Sequence, residues 1–574
     1  MKKTFRPNFI SLETSLVSLP SSLNPNPELS TVGGFALVLD KDNRVVGTLT
    51  DGDIRRFDSG RSRNEQQISA RDLMNSNFIR VSSDHSPIEM ASQVLEQLSK
   101  RQLQNEFPIT YIPVLTHSGQ YESLIHISHL SPFLEELTRQ IVIIGQGFVG
   151  ITMAMAMVNK GLKVLAIEHD EIQVNNIRRL MPNVQEPQLR EILQANIGKN
   201  YFIENLSLSA LNRNPLFGRR IMIICVGTPR VGDKIVLDEL FASCEELAQS
   251  IQLGDMIVVR STVPVGTTRK IARIIEKTSD LRAGVDFNLV YAPERTVEGN
   301  AINEVIRLPQ LVAGLSETCS KAAVTFFSPW VANVISMENL EACELAKLSS
   351  NAYRDVTFAF SNEIAKIASL FNVDINKMIA NANSGYSRNA IPNPSPGVGG
   401  PCLTKDSYML SDSFDPSVIG AARQVNENMI NFCVKRITEL SRRYGNTVLV
   451  IGIAFKGNPP TNDVRHSTSI EIIRGLQQAT IEVSCLDAVV NETQIKKSGL
   501  IPFRDSKKDI KMICILNNHP NNKEILQALL IEEQKNTNGK IAIFDPWNCL
   551  DSGDLPSNFK LEISTLSTTR EIHT

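Results

Sequence analysis

The feature that most constrains the fold is short. Ile141-Val142-Ile143-Ile144 runs directly into Gly145-Gln146-Gly147-Phe148-Val149-Gly150, and a stretch rich in Ala and Met follows. Four consecutive branched apolar residues read as a buried strand, and the stretch after the glycines as a helix. In such a turn the first glycine permits a sharp bend and the second a close approach of the backbone to a pyrophosphate. The third lets the helix pack tightly on the strand, and the helix N-terminus faces the negative charge. The next strand, Lys163-Val164-Leu165-Ala166-Ile167, ends on Glu168, at the roughly 20-residue distance where a carboxylate accepts hydrogen bonds from a ribose diol. A 2′-phosphate would be repelled there. Gly145, Gly147, Phe148, Val149, Gly150 and Glu168 are therefore expected to hold NAD rather than NADP.

From this strand to about residue 330, apolar runs such as Ile221-Met222-Ile223-Ile224-Cys225-Val226 and Met256-Ile257-Val258-Val259 alternate with helical patterns. That alternation predicts a parallel, doubly wound sheet. A long helix is expected next, because Leu340 to Phe371 contains neither Gly nor Pro and keeps helical spacing of its apolar residues. A second α/β pattern starts at Thr447-Val448-Leu449-Val450-Ile451-Gly452 and runs to Ile541-Ala542-Ile543-Phe544-Asp545. The expected architecture is α/β: two Rossmann-like doubly wound domains joined by a long central helix and preceded by a small α+β domain. The boundaries predicted are 1–135, 139–330, 331–440 and 441–552, with a charged connector at Glu135-Glu136-Leu137-Thr138-Arg139 and a poorly ordered polar tail over 553–574.

At 574 residues the chain exceeds a single core. Its formal net charge of −2 gives no reason to expect a nucleic acid or an anionic membrane as partner. No signal-peptide-like apolar region follows the N-terminus, and no apolar run approaches the roughly 20 residues that span a bilayer. The nine cysteines are scattered without a CxxC pair, so neither a disulfide framework nor a metal site is expected, and the setting expected is cytoplasmic.

One cysteine stands apart. Cys402 follows Pro394-Ser395-Pro396-Gly397-Val398-Gly399-Gly400-Pro401 and precedes Leu403-Thr404-Lys405-Asp406. The glycines would let a ligand approach the backbone closely. A cation within a turn, Lys405, would lower the thiol below its usual range and populate the nucleophilic thiolate.

With these residues in view, the chain from about 140 to 550 resembles the UDP-glucose/GDP-mannose dehydrogenase family. Matching motifs occur in the family's order: the Gly145 loop, Cys225-Val226-Gly227-Thr228-Pro229, Ser261-Thr262-Val263-Pro264, Ala292-Pro293-Glu294-Arg295, Glu344-Leu345-Ala346-Lys347-Leu348-Ser349-Ser350-Asn351, the Cys402 loop, and Gly452-Ile453-Ala454-Phe455-Lys456-Gly457 with Asp463-Val464-Arg465-His466-Ser467. The resemblance implies a four-electron oxidation of a sugar C6 alcohol to a carboxylate with two NAD in succession, feeding surface polysaccharide synthesis. It implies Cys402 as the covalent nucleophile and Glu294 as general base. Thr262 and Asp406 would position water or shuttle protons, and Thr228 would line the cofactor site. Lys347 and Asn351, four apart on one helix face, would hold the oxyanion. Arg388, Gly400, Lys456 and Arg465 would bind the substrate, Arg388 from across a homodimer formed by the central helix.

Thr404 stands where many members carry proline, and Arg295 where the UDP-glucose branch carries an aromatic residue. Together with Arg295-Thr296-Val297-Glu298-Gly299, the spacing from Arg388 to Cys402 looks more like the branch that oxidises UDP-N-acetylhexosamines; UDP-hexose and GDP-mannose are the alternative substrates. The N-terminal stretch Val45-Val46-Gly47-Thr48-Leu49-Thr50-Asp51-Gly52-Asp53 resembles one half of a CBS pair, with Tyr111 to Leu130 as the second half. This implies a candidate adenine-nucleotide site at Thr50 and Asp53. His126 and His129 occupy the matching positions of the second half, so one adenylate site at most is expected. The rival readings are a two-electron dehydrogenase or epimerase, which would need no cysteine, and an adenylate-sensing protein built on an inactive dehydrogenase scaffold.

Overall fold

Side-chain alternation and glycine placement carry over directly into the computed structural model, which describes residues 6–19, 23–24, 31–58, 68–100, 110–130, 140–211, 219–232, 234–411, 417–505, 510–533, 540–550 and 560–573. The connector expected at Glu135–Arg139 and the first part of the expected tail lie outside these residues. The chain divides into two compact units, residues 1–139 with 214–219 and the remainder.

The first unit holds two three-stranded sheets of like design. In one, β1 (Arg6–Ser11) pairs parallel with β2 (Thr31–Leu39), which pairs antiparallel with β3 (Val45–Thr50). In the other, β4 (Val81–Ser82) pairs parallel with β5 (Tyr111–Leu115), which pairs antiparallel with β6 (Tyr121–His126). Each antiparallel pair slips register near its end, between Val38 and Leu39 and between Val114 and Leu115. The repeat places Thr50 opposite Phe35 as it places His126 opposite Tyr111.

The second unit carries the doubly wound sheets. Its first sheet contains β7 (Gln140–Ile144), β8 (Val164–Ile167), β9 (Tyr201–Glu204), β10 (Arg220–Ile224), β13 (Met256–Val259), β14 (Asn288–Tyr291), β15 (Gln310–Gly314) and β16 (Val334–Ser336). Their order is β16-β15-β14-β13-β10-β7-β8-β9, parallel throughout except for the β14–β15 pair. Strands buried on both faces explain the unbroken Val/Ile runs that stood out in the sequence. A small hairpin, β11 (Arg230–Val231) and β12 (Lys234–Ile235), projects after β10. A 31-residue helix, Leu340–Leu370, follows this sheet, capped by the Asn339 side chain on Ala342 N–H. After Ile375–Asn383 come the helices Leu403–Ser411 and Ser417–Tyr444.

The second sheet contains β17 (Thr447–Ile451), β18 (Glu482–Leu486), β19 (Met512–Ile515), β20 (Lys540–Phe544), β21 (Lys560–Ser564) and β22 (Thr569–His573), ordered β18-β17-β19-β20-β21-β22. The last two strands correct the expected disordered tail: β21 pairs parallel with β20 and antiparallel with β22. Ile563 and Leu566 are fully buried, and Glu562, 3% exposed, is neutralised by Arg443 and accepts a hydrogen bond from the Tyr444 hydroxyl. A buried but paired carboxylate disguised this strand as polar tail. No described helix is long and apolar enough to cross a membrane.

Candidate active site

The glycine loop takes the conformation its sequence demands. Gly145 has φ +87°, and a Cβ on it would lie 2.9 Å from the Cys225 carbonyl. A Cβ on Gly150 would collide with the Gly145 carbonyl oxygen, so the third glycine serves helix-on-turn packing. Gly147 is exposed, and a Cβ on it meets nothing within 4 Å. The helix Phe148–Val158 that starts there has no side-chain cap, so its first N–H groups remain for an anion. Glu168 is buried and accepts Gln146 N–H at 2.7 Å and Asp170 N–H at 3.1 Å. The cradle therefore fits the pyrophosphate and ribose of NAD. A cavity of about 320 Å³ lies in front of it, walled by Gln146, Gly147 and Phe148 on one side and by Asp463, Val464 and Arg465 on the other.

The cysteine loop is built on the central helix. Asp355 and Asn362, two turns apart on one face, are both fully buried. Asn362 Oδ1 accepts Ser395 N–H at 2.8 Å. Asp355 accepts Arg423 Nη1 at 2.9 Å, Asn426 Nδ2 at 2.7 Å and Ser407 Oγ at 3.0 Å, and Arg423 donates onward to the Val398 carbonyl at 3.0 Å. Both carboxylate oxygens of Asp355 thus receive donors, the condition under which a buried charge pair is tolerated. Gly400 was expected to make room for a ligand; its immediate neighbour is the chain itself. A Cβ there would sit 2.7 Å from the Phe455 ring, and its N–H donates to the His466 carbonyl at 3.1 Å.

Cys402 begins the helix Leu403–Ser411 and is open to solvent. Protein nevertheless packs around it densely enough that burial, followed by the Asp406 charge, pushes the thiol up to about 11. This reverses the expected lowering. The opposing cations are Lys347 first and Lys405 only after it. Lys405 is turned away: its Nζ donates to Thr228 O at 3.0 Å and Thr228 Oγ1 at 2.9 Å, while Thr228 Oγ1 donates to Thr262 O at 2.7 Å. Arg230 of the hairpin donates to the Thr404 carbonyl at 2.7 Å and stacks 3.8 Å above the Tyr408 ring. These bonds tie the cysteine helix to the first sheet.

Lys347, Asn351, Asp406 and Glu294 are all buried. Asn351 Nδ2 donates to Asp406 Oδ2 at 2.6 Å, whereas Asp406 Oδ1 has no hydrogen-bond partner among the described residues. A buried carboxylate oxygen without a donor is where a water or a hydroxyl proton would be received. Asp406, Lys347 and Glu294 are the charged groups that act most strongly on Cys402, so the structure brings the central predicted set together.

Lys456 and Arg465 stand close enough to feel the same thiol. Lys456 Nζ donates to the Glu298 carbonyl at 2.6 Å, and burial lowers its pKa. Arg465 grips Asp463 through Nε at 2.9 Å. Arg388 is exposed and makes no hydrogen bond or ion pair with a described residue. Sequence reasoning missed Glu186 and gave no role to Glu298, and burial pushes both carboxyls up. Glu186 accepts the N–H groups of Gly299 and Ala301, and Glu298 accepts Thr461 Oγ1 at 2.6 Å. Only the invariable need of the 298–301 turn for an acceptor could have pointed to Glu186, 113 residues away. In the first unit Thr50 and Asp53 satisfy each other, Thr50 Oγ1 donating to Asp53 Oδ2 at 2.7 Å.

Comparison with known proteins agrees with this geometry. The UDP-glucose/GDP-mannose dehydrogenase family matches the chain in all three of its parts: the NAD-binding domain over 139–331, the central domain over 341–428 and the UDP-binding domain over 449–552. A UDP-N-acetyl-D-mannosamine dehydrogenase of Pyrococcus horikoshii is 30% identical, over 67% of this chain and 91% of the relative. An NDP-N-acetyl-D-galactosaminuronic acid dehydrogenase of Ralstonia solanacearum is 28% identical, over 59% of this chain and 80% of its own length. The solved UDP-D-ManNAc dehydrogenase of Pyrococcus horikoshii superposes with a TM-score of 0.66 at 26% identity, covering 75% of this chain and 99% of that one. With three matched domains, a fitted NAD cradle and a cysteine set among Lys347, Asn351, Asp406 and Glu294, the chain belongs to the UDP-glucose/GDP-mannose dehydrogenase family and is an NAD-dependent nucleotide-sugar dehydrogenase.

Proposed function

We propose that the enzyme oxidises the C6 alcohol of a UDP-N-acetylhexosamine to the uronic acid in two steps through Cys402. Both curated relatives described above carry N-acetylated sugars in their names, and Arg295 lies where an aromatic residue would suit plain glucose. NAD bound at the glycine loop accepts one hydride in each oxidation. The observation that carries the reading is the convergence of one solvent-reached thiol with two buried carboxylates, a buried ammonium and a buried amide.

In the first oxidation the hydroxyl proton leaves toward Asp406 Oδ1, and the product is the C6 aldehyde. The Cys402 sulfur then adds to that carbon, forming a C–S bond as the C=O π bond opens and the S–H proton passes to the former carbonyl oxygen, giving a thiohemiacetal hydroxyl. Lys347 and Asn351 donate to the oxygen as it gains negative charge, a task suited to donors that are already fixed. Loss of a second hydride and of the hydroxyl proton gives the Cys402 thioester. Glu294 takes a proton from water as its oxygen attacks the carbonyl, the C–S bond breaks, and the sulfur recovers a proton. One alcohol and one water yield one carboxylate, with four electrons removed. Because the thiol resists ionisation in the free site, sulfur attack needs a proton acceptor or the closing in of the substrate.

The reading includes a homodimer. The central helix exposes Tyr353, Phe360 and Ile367 at seven-residue intervals, 47–68% open to solvent, which suits a helix face that meets its copy, and exposed Arg388 suits a residue that reaches a partner. A CBS-pair role for residues 1–135 is supported by the repeated sheets and by Thr50, which ends β3 as His126 ends β6, with Asp53 in the helix that follows; titrating the full chain with AMP and ATP tests it, and no heat at millimolar nucleotide would sink it. For the main activity, a panel of UDP- and GDP-sugars with NAD is expected to give two NADH per UDP-N-acetylhexosamine. One NADH per sugar would refute the two-step reading.

A further inference from the structure

Arg260 is a buried cation that the mechanism leaves unused. It follows β13 directly and is 1% exposed. Its hydrogen bonds go to neutral acceptors: Nη1 donates to the Ala292 carbonyl at 3.2 Å and to Gln310 Oε1 at 3.0 Å. Its Nε has no partner and it forms no ion pair among the described residues. A guanidinium does not shed its proton in a protein, so a full charge sits here without a counter-ion in contact, an arrangement a fold does not keep cheaply.

The two acceptors explain the position. Gln310, 6% exposed, passes the grip on: its Nε2 donates to the Pro293 carbonyl at 3.1 Å and to the Leu311 carbonyl at 2.8 Å. Arg260 and Gln310 together therefore hold the two consecutive carbonyls, Ala292 and Pro293, that precede Glu294. Beyond Glu294, Arg295 donates to the Pro309 carbonyl and Thr296 N–H donates to Glu294 Oε1. The peptide on both sides of Glu294 is thus pinned. Among charged neighbours of Arg260, Glu294 is the strongest.

The geometry points to Arg260, oriented by Gln310, as a positioning residue for Glu294: it fixes the peptide that aims this carboxylate and sets a permanent positive charge beside it. The inference rests on the role of Glu294 as base in thioester hydrolysis. The other groups facing this pair are Cys225 at the end of β10, Tyr291 on β14 and Cys402 on the cysteine helix. Burial pushes Cys225 up to about 12, raises Tyr291 well above its ordinary value and holds Cys402 at about 11, so near neutrality none offers a competing charge. Lys347 and Lys405 act on Cys402.

The test uses the full chain with UDP-N-acetylhexosamine and NAD, following uronate release and the acyl-enzyme by intact mass. Glu294→Gln is expected to accumulate acyl-enzyme. Arg260→Met is expected to slow hydrolysis about 10- to 100-fold and to accumulate acyl-enzyme, with KM for the sugar nucleotide within about twofold. Arg260→Lys keeps the charge and loses a hydrogen bond, so it should hydrolyse at a rate between the two. It decides the matter if Arg260→Met does not fold. Wild-type hydrolysis in the Arg260 variants that fold, while Glu294→Gln still accumulates acyl-enzyme, would overturn the inference alone. No accumulation in Glu294→Gln would overturn the role of Glu294 itself.

Discussion

Strands β7 and β17 open their sheets in the same way. Each runs into a left-handed glycine, Gly145 at φ +87° and Gly452 at φ +90°, and each is answered by an acid at the end of the neighbouring strand. Glu168 accepts Gln146 N–H at 2.7 Å, and Asp487 accepts Ile453 N–H at 2.7 Å and Ala454 N–H at 3.1 Å. The two then part. In the first half the helix begins at Phe148, directly on the turn; in the second it waits until Thr468. The first half consequently leaves backbone N–H groups uncapped at its helix start, and the second carries charged side chains, Lys456 and Arg465, on the intervening loop. We propose that one Rossmann start serves two phosphate ligands by these two kinds of donor.

The sharpest way to break this comparison is Gly147→Ala. The new methyl meets no atom of the chain within 4 Å, so thermal stability should hold, while NAD binding weakens on the order of 100-fold because the methyl occupies the pyrophosphate's path. Titration followed by NADH fluorescence together with a melting curve checks both halves of that statement. Lys456→Met should do the converse: KM for the sugar nucleotide rises roughly 10-fold with the loss of a charged donor, and NAD affinity is unchanged. If Lys456→Met weakens NAD equally, the division of labour is wrong. Asp487→Ala should cost about 1–3 kcal/mol of stability by denaturant unfolding, since it strands several loop N–H groups, whereas Glu168→Ala should be felt chiefly in NAD affinity.

The smallest effect concerns Cys402, which lies between the halves. With the thiol pushed up to about 11, the neutral form dominates below that value and the thiolate grows as pH rises. Alkylation by iodoacetamide, read against a Cys402→Ser background, should quicken about tenfold per pH unit up to that point. Lys405→Met should change this rate less than about threefold, because that ammonium is engaged with Thr228. Lys347→Met should slow it more.

The same contrast governs how much was legible in advance. The Gly145 turn, Glu168 and the doubly wound alternation are local signals, and a strand–turn–helix leaves its mark within 30 residues. Cys402, Glu294, Lys347, Asn351 and Asp406 were found because each lies in a motif that resembles the family's. The error over Lys405 arose because proximity in sequence says nothing of direction: its ammonium points to Thr228, 177 residues away. The strands from residue 560 were hidden by Glu562, whose hydrogen-bond partners Arg443 and Tyr444 lie over a hundred residues upstream. Arg260 and Gln310 were invisible for the same reason, being 50 residues apart and bonded to carbonyls that every residue possesses. Long-range polar pairing, rather than apolar pattern, is what the linear chain conceals.

In the proposed reaction one thiol carries the sugar between two oxidations. Cys402→Ser with UDP-N-acetylhexosamine, NAD in excess and product followed by mass spectrometry tests it most directly. This variant should release no uronate and yield at most one NADH per active site before turnover stalls. Sustained release of uronate with two NADH per sugar from this variant would contradict it.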